Sequence, residues 1–189
     1  MRESYRLGRI VDDLLDLSLI EAQAAPTREP TPVRVLVEEA VERLSPLALA
    51  RRIPLRTEPI TDDLLVLCDV PQLVSAITNL LDNALKYSEP GEDVVVSADA
   101  INGRVVLRVE DHGIGIPNRD LERIFERFYR VDKARSRATG GTGLGLSIVR
   151  HVAEAHGGEV TVESAEGEGS SFRLSLPLAE SARNAREAS

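Results

Sequence analysis

The chain has 189 residues, 42% hydrophobic and 29% charged, which is apolar mass for one good core and an appendage rather than for two full domains. A formal charge of −8 argues against a duplex nucleic-acid binder, whose phosphate contacts need a concentrated basic surface. The single cysteine, Cys68, lies in an apolar run; it excludes an internal disulfide or a cysteine metal cluster and suits a small buried hydrophobe.

Residues 5–24 place Leu7, Ile10, Val11, Leu14, Leu15, Leu17 and Ile20 at three- and four-residue spacing, with Arg9, Asp12, Asp13 and Asp16 between them. This pattern predicts an amphipathic helix. It runs into a breaker holding Pro26, Pro30 and Pro32. With no partner nearby in sequence, such a helix suits dimerisation or a bundle better than a domain core. Met1 enters this pattern almost at once, so the chain reads as a piece of something larger. The predicted organisation is a helix over 1–25, a linker over 26–32, a compact domain over 33–178 and a polar tail over 179–189. No apolar run approaches the about 20 residues of a membrane span and no signal peptide is visible, so the expectation is a soluble, cytoplasmic chain.

Within the domain, residues 33–50 show helical periodicity through Leu36, Val37, Ala40, Val41 and Leu44, and residues 53–57 and 64–68 read as short strands. Asp69 is a good N-cap with Pro71 in the first turn of the helix that follows, which ends near Tyr87. At about 100° per residue that helix gathers Asn79, Asn83 and Lys86 on one arc, beside Gln72, Ser75 and Asp82, and Leu73, Val74, Ile77, Leu80, Leu81, Ala84 and Leu85 on the other. Two carboxamide oxygens one turn apart can ligate a hard cation such as Mg²⁺, and a lysine one turn further suits phosphate. Taken alone, the same face is what any surface helix shows to solvent.

Residues 94–98 and 105–110 alternate around Asn102-Gly103, a strong hairpin signal. From 111 to 142 the character changes to glycines, a proline, a short helical piece around 121–129 and a basic stretch; so long a weakly ordered segment inside a domain is usually functional. Helical periodicity resumes from Leu144 and stops at His156-Gly157-Gly158. A last hairpin joins residues 159–163 and 171–176 around Glu166-Gly-Glu-Gly169. Helices packed on one face of a mixed sheet give a two-layer α/β sandwich.

Two further motifs carry chemistry. Asp111-His-Gly113-Ile-Gly115-Ile-Pro117 follows a strand directly; an aspartate there can accept a hydrogen bond from an exocyclic amine such as adenine N6, and glycines let backbone approach a ring. The same stretch is also what a plain strand-ending turn would look like. Gly140-Gly-Thr-Gly143-Leu-Gly145 leads into a helix, where free N–H groups and the positive dipole end suit phosphate oxygens. A dinucleotide fingerprint fits poorly, because no βαβ unit with an acidic residue about twenty positions on follows.

Jointly, in order and spacing, these motifs resemble the N, G1 and G2 boxes of the ATP-binding domain of sensor histidine kinases, within the superfamily shared with gyrase, the heat-shock-90 chaperones and the mismatch-repair ATPases. Ile124-Phe125-Glu-Arg-Phe128-Tyr129-Arg130 is similar to that family's F box, and Ser18-Leu-Ile-Glu21-Ala to the second helix of its dimerisation and histidine-phosphotransfer domain. The resemblance implies a Bergerat-type fold with ATP and Mg²⁺ as cofactors. It makes Asn83 the metal ligand, with Asn79 in the same metal and phosphate shell. Lys86 would contact phosphate and Tyr87 would flank the adenine. Asp111 would bind N6, with Gly113, Gly115 and Ile116 around the base. Arg130 would approach the terminal phosphate. Gly141, Thr142, Gly143, Leu144 and Gly145 would hold a lid, residues 113–142, over the triphosphate. Catalytic roles fall to Asn79, Lys86 and Arg130. Of the basic run, Arg127, Lys133, Arg135 and Arg137 are mainly a solvated loop.

The three histidines, His112, His151 and His156, do not stand in the setting of a phospho-acceptor. The resemblance therefore implies a protein-histidine kinase catalytic part that would not phosphorylate itself and whose acceptor histidine comes from elsewhere. Its partners would be that acceptor domain, a response regulator and a second copy through residues 5–24, and its parent would be membrane-anchored. An ATP hydrolase of the superfamily would need glutamate where Asn79 stands. A regulatory or docking module, or a serine kinase of the anti-sigma type, is a further alternative; the helix remnant argues against the last.

Overall fold

The computed structural model describes residues 28–131 and 141–179. The helix expected over residues 5–24, the basic residues Lys133, Arg135 and Arg137, and the polar tail from residue 180 onward lie outside them. Three α-helices, α1 (Val33–Arg51), α2 (Val70–Tyr87) and α3 (Gly145–Ala155), pack on a sheet. Its strands are β2 (Leu55–Thr57), β4 (Val94–Ile101), β5 (Arg104–Asp111), β6 (Glu159–Ala165) and β7 (Gly169–Pro177), in the order β2-β4-β5-β7-β6. Only the β2–β4 pair is parallel, so the sheet is mixed and the two-layer α/β sandwich expected from the element order is the observed architecture.

The strand pattern explains the layering. In β5, Val105, Leu107, Val109 and Asp111 are buried and alternate with partly exposed Arg104, Val106, Arg108 and Glu110. Period-two alternation puts the first set against the helices and the second on the open side. The open side is laced by polar pairs, including the two hydrogen bonds that Arg173 donates to Glu163 (2.6 and 2.7 Å). Asn102 (φ 52°) and Gly103 (φ 74°) both take the left-handed conformation that a two-residue hairpin turn requires. This turn lengthens the predicted hairpin to eight residues a strand.

The α2 helix is the central element. Asp69 caps it by accepting the Gln72 N–H (3.1 Å), and nine of its residues are buried. Full burial of each leucine or isoleucine among them is worth about 1.5–3 kcal/mol. Gln72, expected on the polar arc, is only 8% exposed and belongs to the buried start of the helix. At the other end of α3, the buried His156 ring accepts the Asp69 N–H at Nε2 (3.1 Å), and Nδ1 lies 2.7 Å from the Val152 carbonyl oxygen. The two contacts fix one tautomer, with the proton on Nδ1, and tie the end of α3 to the start of α2. Burial holds this imidazole below its ordinary value, so it stays neutral.

Two sequence expectations change. The stretch expected as linker ends in a strand, β1 (Glu29–Pro32), which pairs antiparallel with β3 (Leu65–Cys68) and forms a separate two-stranded sheet. Thr31 and Cys68 are buried there, and Leu178 bridges to Val66. The short helix expected around 121–129 is instead two single 3₁₀ turns, Asn118–Asp120 and Arg123–Phe125.

Candidate functional site

All three sequence motifs line one cleft between α2, the end of β5 and the start of α3. Its α2 wall consists of Asn79, Asp82, Asn83, Lys86 and Tyr87. The apolar arc of the same helix lies in the core, so the polar arc is held rigidly against the opening.

Asn79 donates from Nδ2 to the Ser75 carbonyl (3.1 Å), which leaves Oδ1 as the outward acceptor. A Cβ on Gly145 would sit 2.7 Å from that oxygen, so glycine lets α3 begin beside it with the Asn79 side chain undisturbed. Lys86 pairs with Asp82 one turn back, both nearly buried, with side chains 8% and 14% exposed. The pair presents a balanced charge to the cleft rather than a bare ammonium.

The base of the cleft is built around Asp111, the last residue of β5 and only 7% exposed. Its Oδ1 accepts the Gly113 N–H (3.0 Å), and the Ser170 backbone also bonds to the carboxylate. Burial outweighs these bonds and raises the carboxyl to about 6. Gly113 itself is not part of the lining: a Cβ there would lie 2.2 Å from the Tyr87 carbonyl, and Ile114 N–H donates to that same oxygen (3.2 Å). The first glycine of this motif thus docks the loop onto the end of α2, while Ile114, Gly115 and Ile116 face the cleft.

The far side is formed by Tyr129, Arg130 and Val131 and by Gly141, Thr142 and Gly143. These two segments are stapled together. Phe128, in the left-handed region (φ 63°), donates its N–H to the Gly143 carbonyl (2.8 Å), and Gly143 packs against Phe128 too closely for any side chain. Tyr129 donates its hydroxyl to the buried carboxylate of Asp120 (2.6 Å), with the Arg123 guanidinium 4.2 Å over its ring. The bond to Asp120 pushes the phenol up from its ordinary value. Leu144 departs from the expectation: its side chain is fully buried in the core and its N–H bonds the Thr142 hydroxyl (3.2 Å).

Local patterning left several contributors unmarked. Ser170 and Phe172 come to the cleft from β7, far along the chain, while Ile124 and Tyr129 carried a signal as part of the aromatic motif at 124–130. Among the described residues no cluster of three His, Cys, Asp or Glu could hold a metal by itself. The oxygen donors present are the carboxamides of Asn79 and Asn83, a sparse hard set that fits an ion supplying most of its ligands from water and phosphate.

Comparison with known proteins agrees with this geometry. Residues 68–180 match the family of histidine kinase-, DNA gyrase B- and HSP90-like ATPases. The chain is 47% identical over 176 residues to the sensor-like histidine kinase SenX3 of Mycolicibacterium smegmatis, covering 93% of this chain and 46% of that protein. It is 38% identical over 186 residues to the sensor histidine kinase WalK of Bacillus subtilis, covering 94% of this chain and 30% of that one. It therefore spans less than half the length of either relative. Among solved structures it resembles full-length ShkA in complex with AMPPNP (TM-score 0.78, 32% identity, 94% of this chain and 37% of that one). It also resembles the mycobacterial sensor histidine kinase MprB (TM-score 0.67, 31% identity, 80% and 97%). Fold, cleft and relatives agree, and the chain belongs to the histidine kinase-, DNA gyrase B- and HSP90-like ATPase family as an ATP-binding catalytic domain of the sensor histidine kinase kind.

Proposed function

We propose that the cleft holds Mg·ATP with its base on Asp111 and presents the γ-phosphate to a histidine contributed by another domain. The observation that carries this reading is the buried Asp111 carboxylate at one end of a cleft whose other walls bear Asn79, Asn83, Lys86 and Arg130. A carboxylate so placed accepts a hydrogen bond from an exocyclic amine. The carboxamide oxygens of Asn83 and Asn79 would hold Mg²⁺, which supplies charge neutralisation on the phosphates when bound. Lys86 would turn from Asp82 toward phosphate, Arg130 would meet the terminal group, and Gly141, Thr142, Gly143 and Gly145 would bring backbone close to the chain of phosphates. Binding of AMPPNP by ShkA supports the nucleotide assignment.

Transfer then proceeds with an imidazole nitrogen attacking the γ-phosphorus while the bond to the β,γ-bridging oxygen breaks and ADP leaves. The protein's part is positioning and electrostatics. Hydrolysis is disfavoured because the carboxamide at position 79 cannot take a proton from water. The acceptor domain, a response regulator receiving the phosphoryl group on aspartate, pairing of two copies through residues 5–24 and a membrane-anchored parent complete the proposal. Among the described residues no helix is long and apolar enough to cross a membrane.

The test is calorimetric titration with Mg·ATP, followed by γ-labelled ATP with and without a separate acceptor-helix protein. Saturable binding, lost in Asp111→Ala, and acid-labile label appearing only in the acceptor are the expected results. Unchanged affinity in Asp111→Ala would overturn the base assignment, and phosphate released to water at the same rate without acceptor would favour a hydrolase.

A further inference from the structure

We propose that the turn between β6 and β7 is a working part of the base end of the cleft, with Ser164 and Gly167 as positioning residues for the loop from Asp111 to Ile116. The inference rests on the nucleotide reading above. Neither residue lines the cleft. Ser164 Oγ accepts the Ile116 N–H (2.8 Å) and donates to the Gly169 carbonyl (2.6 Å); Ser170 Oγ lies 3.0 Å away. With its one proton committed to Gly169, Ser164 must accept from Ser170, so the hydroxyl is fully occupied and joins three separate backbone segments.

A second bridge runs beside it. Gly167 donates its N–H to the Ile114 carbonyl (2.8 Å). Backbone also meets backbone: a Cβ on Gly115 (φ 66°) would lie 1.9 Å from the Ala165 carbonyl, and one on Gly169 2.0 Å from the Asp111 carbonyl. The loop that aims the Asp111 carboxylate is therefore seated on a turn about fifty residues later, whose outer residues Glu166 and Glu168 are exposed. Nothing in this contact reaches the Asn79 and Asn83 end of the cleft, and this separates its effect from a general loosening of the fold.

The experiment measures affinities for ATP and for inosine triphosphate, whose 6-oxo group replaces the amine, each with Mg²⁺ and with chelator. Removing one hydrogen bond of this kind shifts an equilibrium by about fivefold. Ser164→Ala is expected to weaken ATP by about that factor and to shrink the preference for ATP over inosine triphosphate, while the effect of Mg²⁺ on ATP affinity stays at its wild-type size. Ser164→Thr, which keeps the hydroxyl, is expected to restore the preference. Equal weakening of both nucleotides, or an unchanged preference, overturns the inference. Should Ser164→Ala fail to fold, Gly167→Ala decides: its new methyl meets nothing within 4 Å and only the positive φ (87°) is disturbed, so the same selective loss is expected. A wild-type protein that does not distinguish the two nucleotides would overturn the base-site reading itself.

Discussion

At the scale of single residues, Asp111 works against stability for the sake of the cleft, while Lys86 serves both. Asp111 has its carboxyl raised by burial to about 6 from 3.8, so the folded state binds its proton more tightly than the unfolded one. The stability this gives is present below the unfolded value and is lost as pH rises through about 6. At neutral pH the ionised group costs about 3 kcal/mol. Asp111→Asn is therefore expected to raise the urea midpoint of the nucleotide-free protein at pH 7 while removing ATP binding. The wild-type Asp111 carboxyl carbon should titrate near pH 6 by NMR, and at lower pH once nucleotide supplies a donor; a free-protein value near 4 would refute the argument. Lys86 gives the complementary case. Lys86→Met leaves Asp82 nearly buried without its cation, a loss of about 3 kcal/mol. Adding Asp82→Asn should recover the midpoint but not Mg·ATP affinity, which separates the lysine's packing role from its role in binding.

Secondary-structure elements differ in how far local sequence declared them. The Asn102-Gly103 hairpin, the Asp69 cap and the α2 boundaries were legible because each rests on neighbours in the chain. β1 was not, since Pro30 and Pro32 read as breakers; among the described strands β1 pairs on one side, with β3, and toward its other side a missing N–H costs no ladder bond. The 121–129 segment resembles a helix in composition, yet the Tyr129–Asp120 bond and the Phe128–Gly143 staple pull it into single turns. Ser164 was invisible in the sequence, and the end-of-helix His156 gave no sign of its bond to Asp69, because the partners lie 48 and 87 positions away. His156 carries a pH consequence at this scale. Its folded-state value lies below 6.5, so the unfolded chain takes up a proton that the folded one refuses. The α3–α2 tie is at full strength above about pH 6.5 and loses stability as pH falls below it. Measured in an Asp111→Asn background, where the opposing carboxyl no longer titrates, the urea midpoint should fall between pH 7 and 5.5, and His156→Gln should flatten that fall.

For the whole molecule, the compact unit begins before the first helix. A chain starting at Arg28 keeps every described element and is expected to match the parent in melting temperature and in Mg·ATP affinity, whereas one starting at Val33 loses β1 and uncovers Cys68. A clear drop in melting temperature for the second truncation but not the first, by circular dichroism, is the expected outcome; equal midpoints would show β1 to be dispensable. Among the described residues the sheet is covered on one side, and the core lies between α1, α2, α3 and the inner residues of β4, β5 and β7. That placement has a consequence for the order of events in folding. Because α2 is at once the keystone of the core and one wall of the cleft, the Asn79–Asn83 wall is complete as soon as the core is. Amides from Leu80 to Ala84 should exchange with deuterium only through global opening, on the slowest timescale of the protein. Those from Gly141 to Gly143, which lie outside any helix or strand, should exchange through small local openings, so one end of the cleft is as old as the fold and the other is renewed continually.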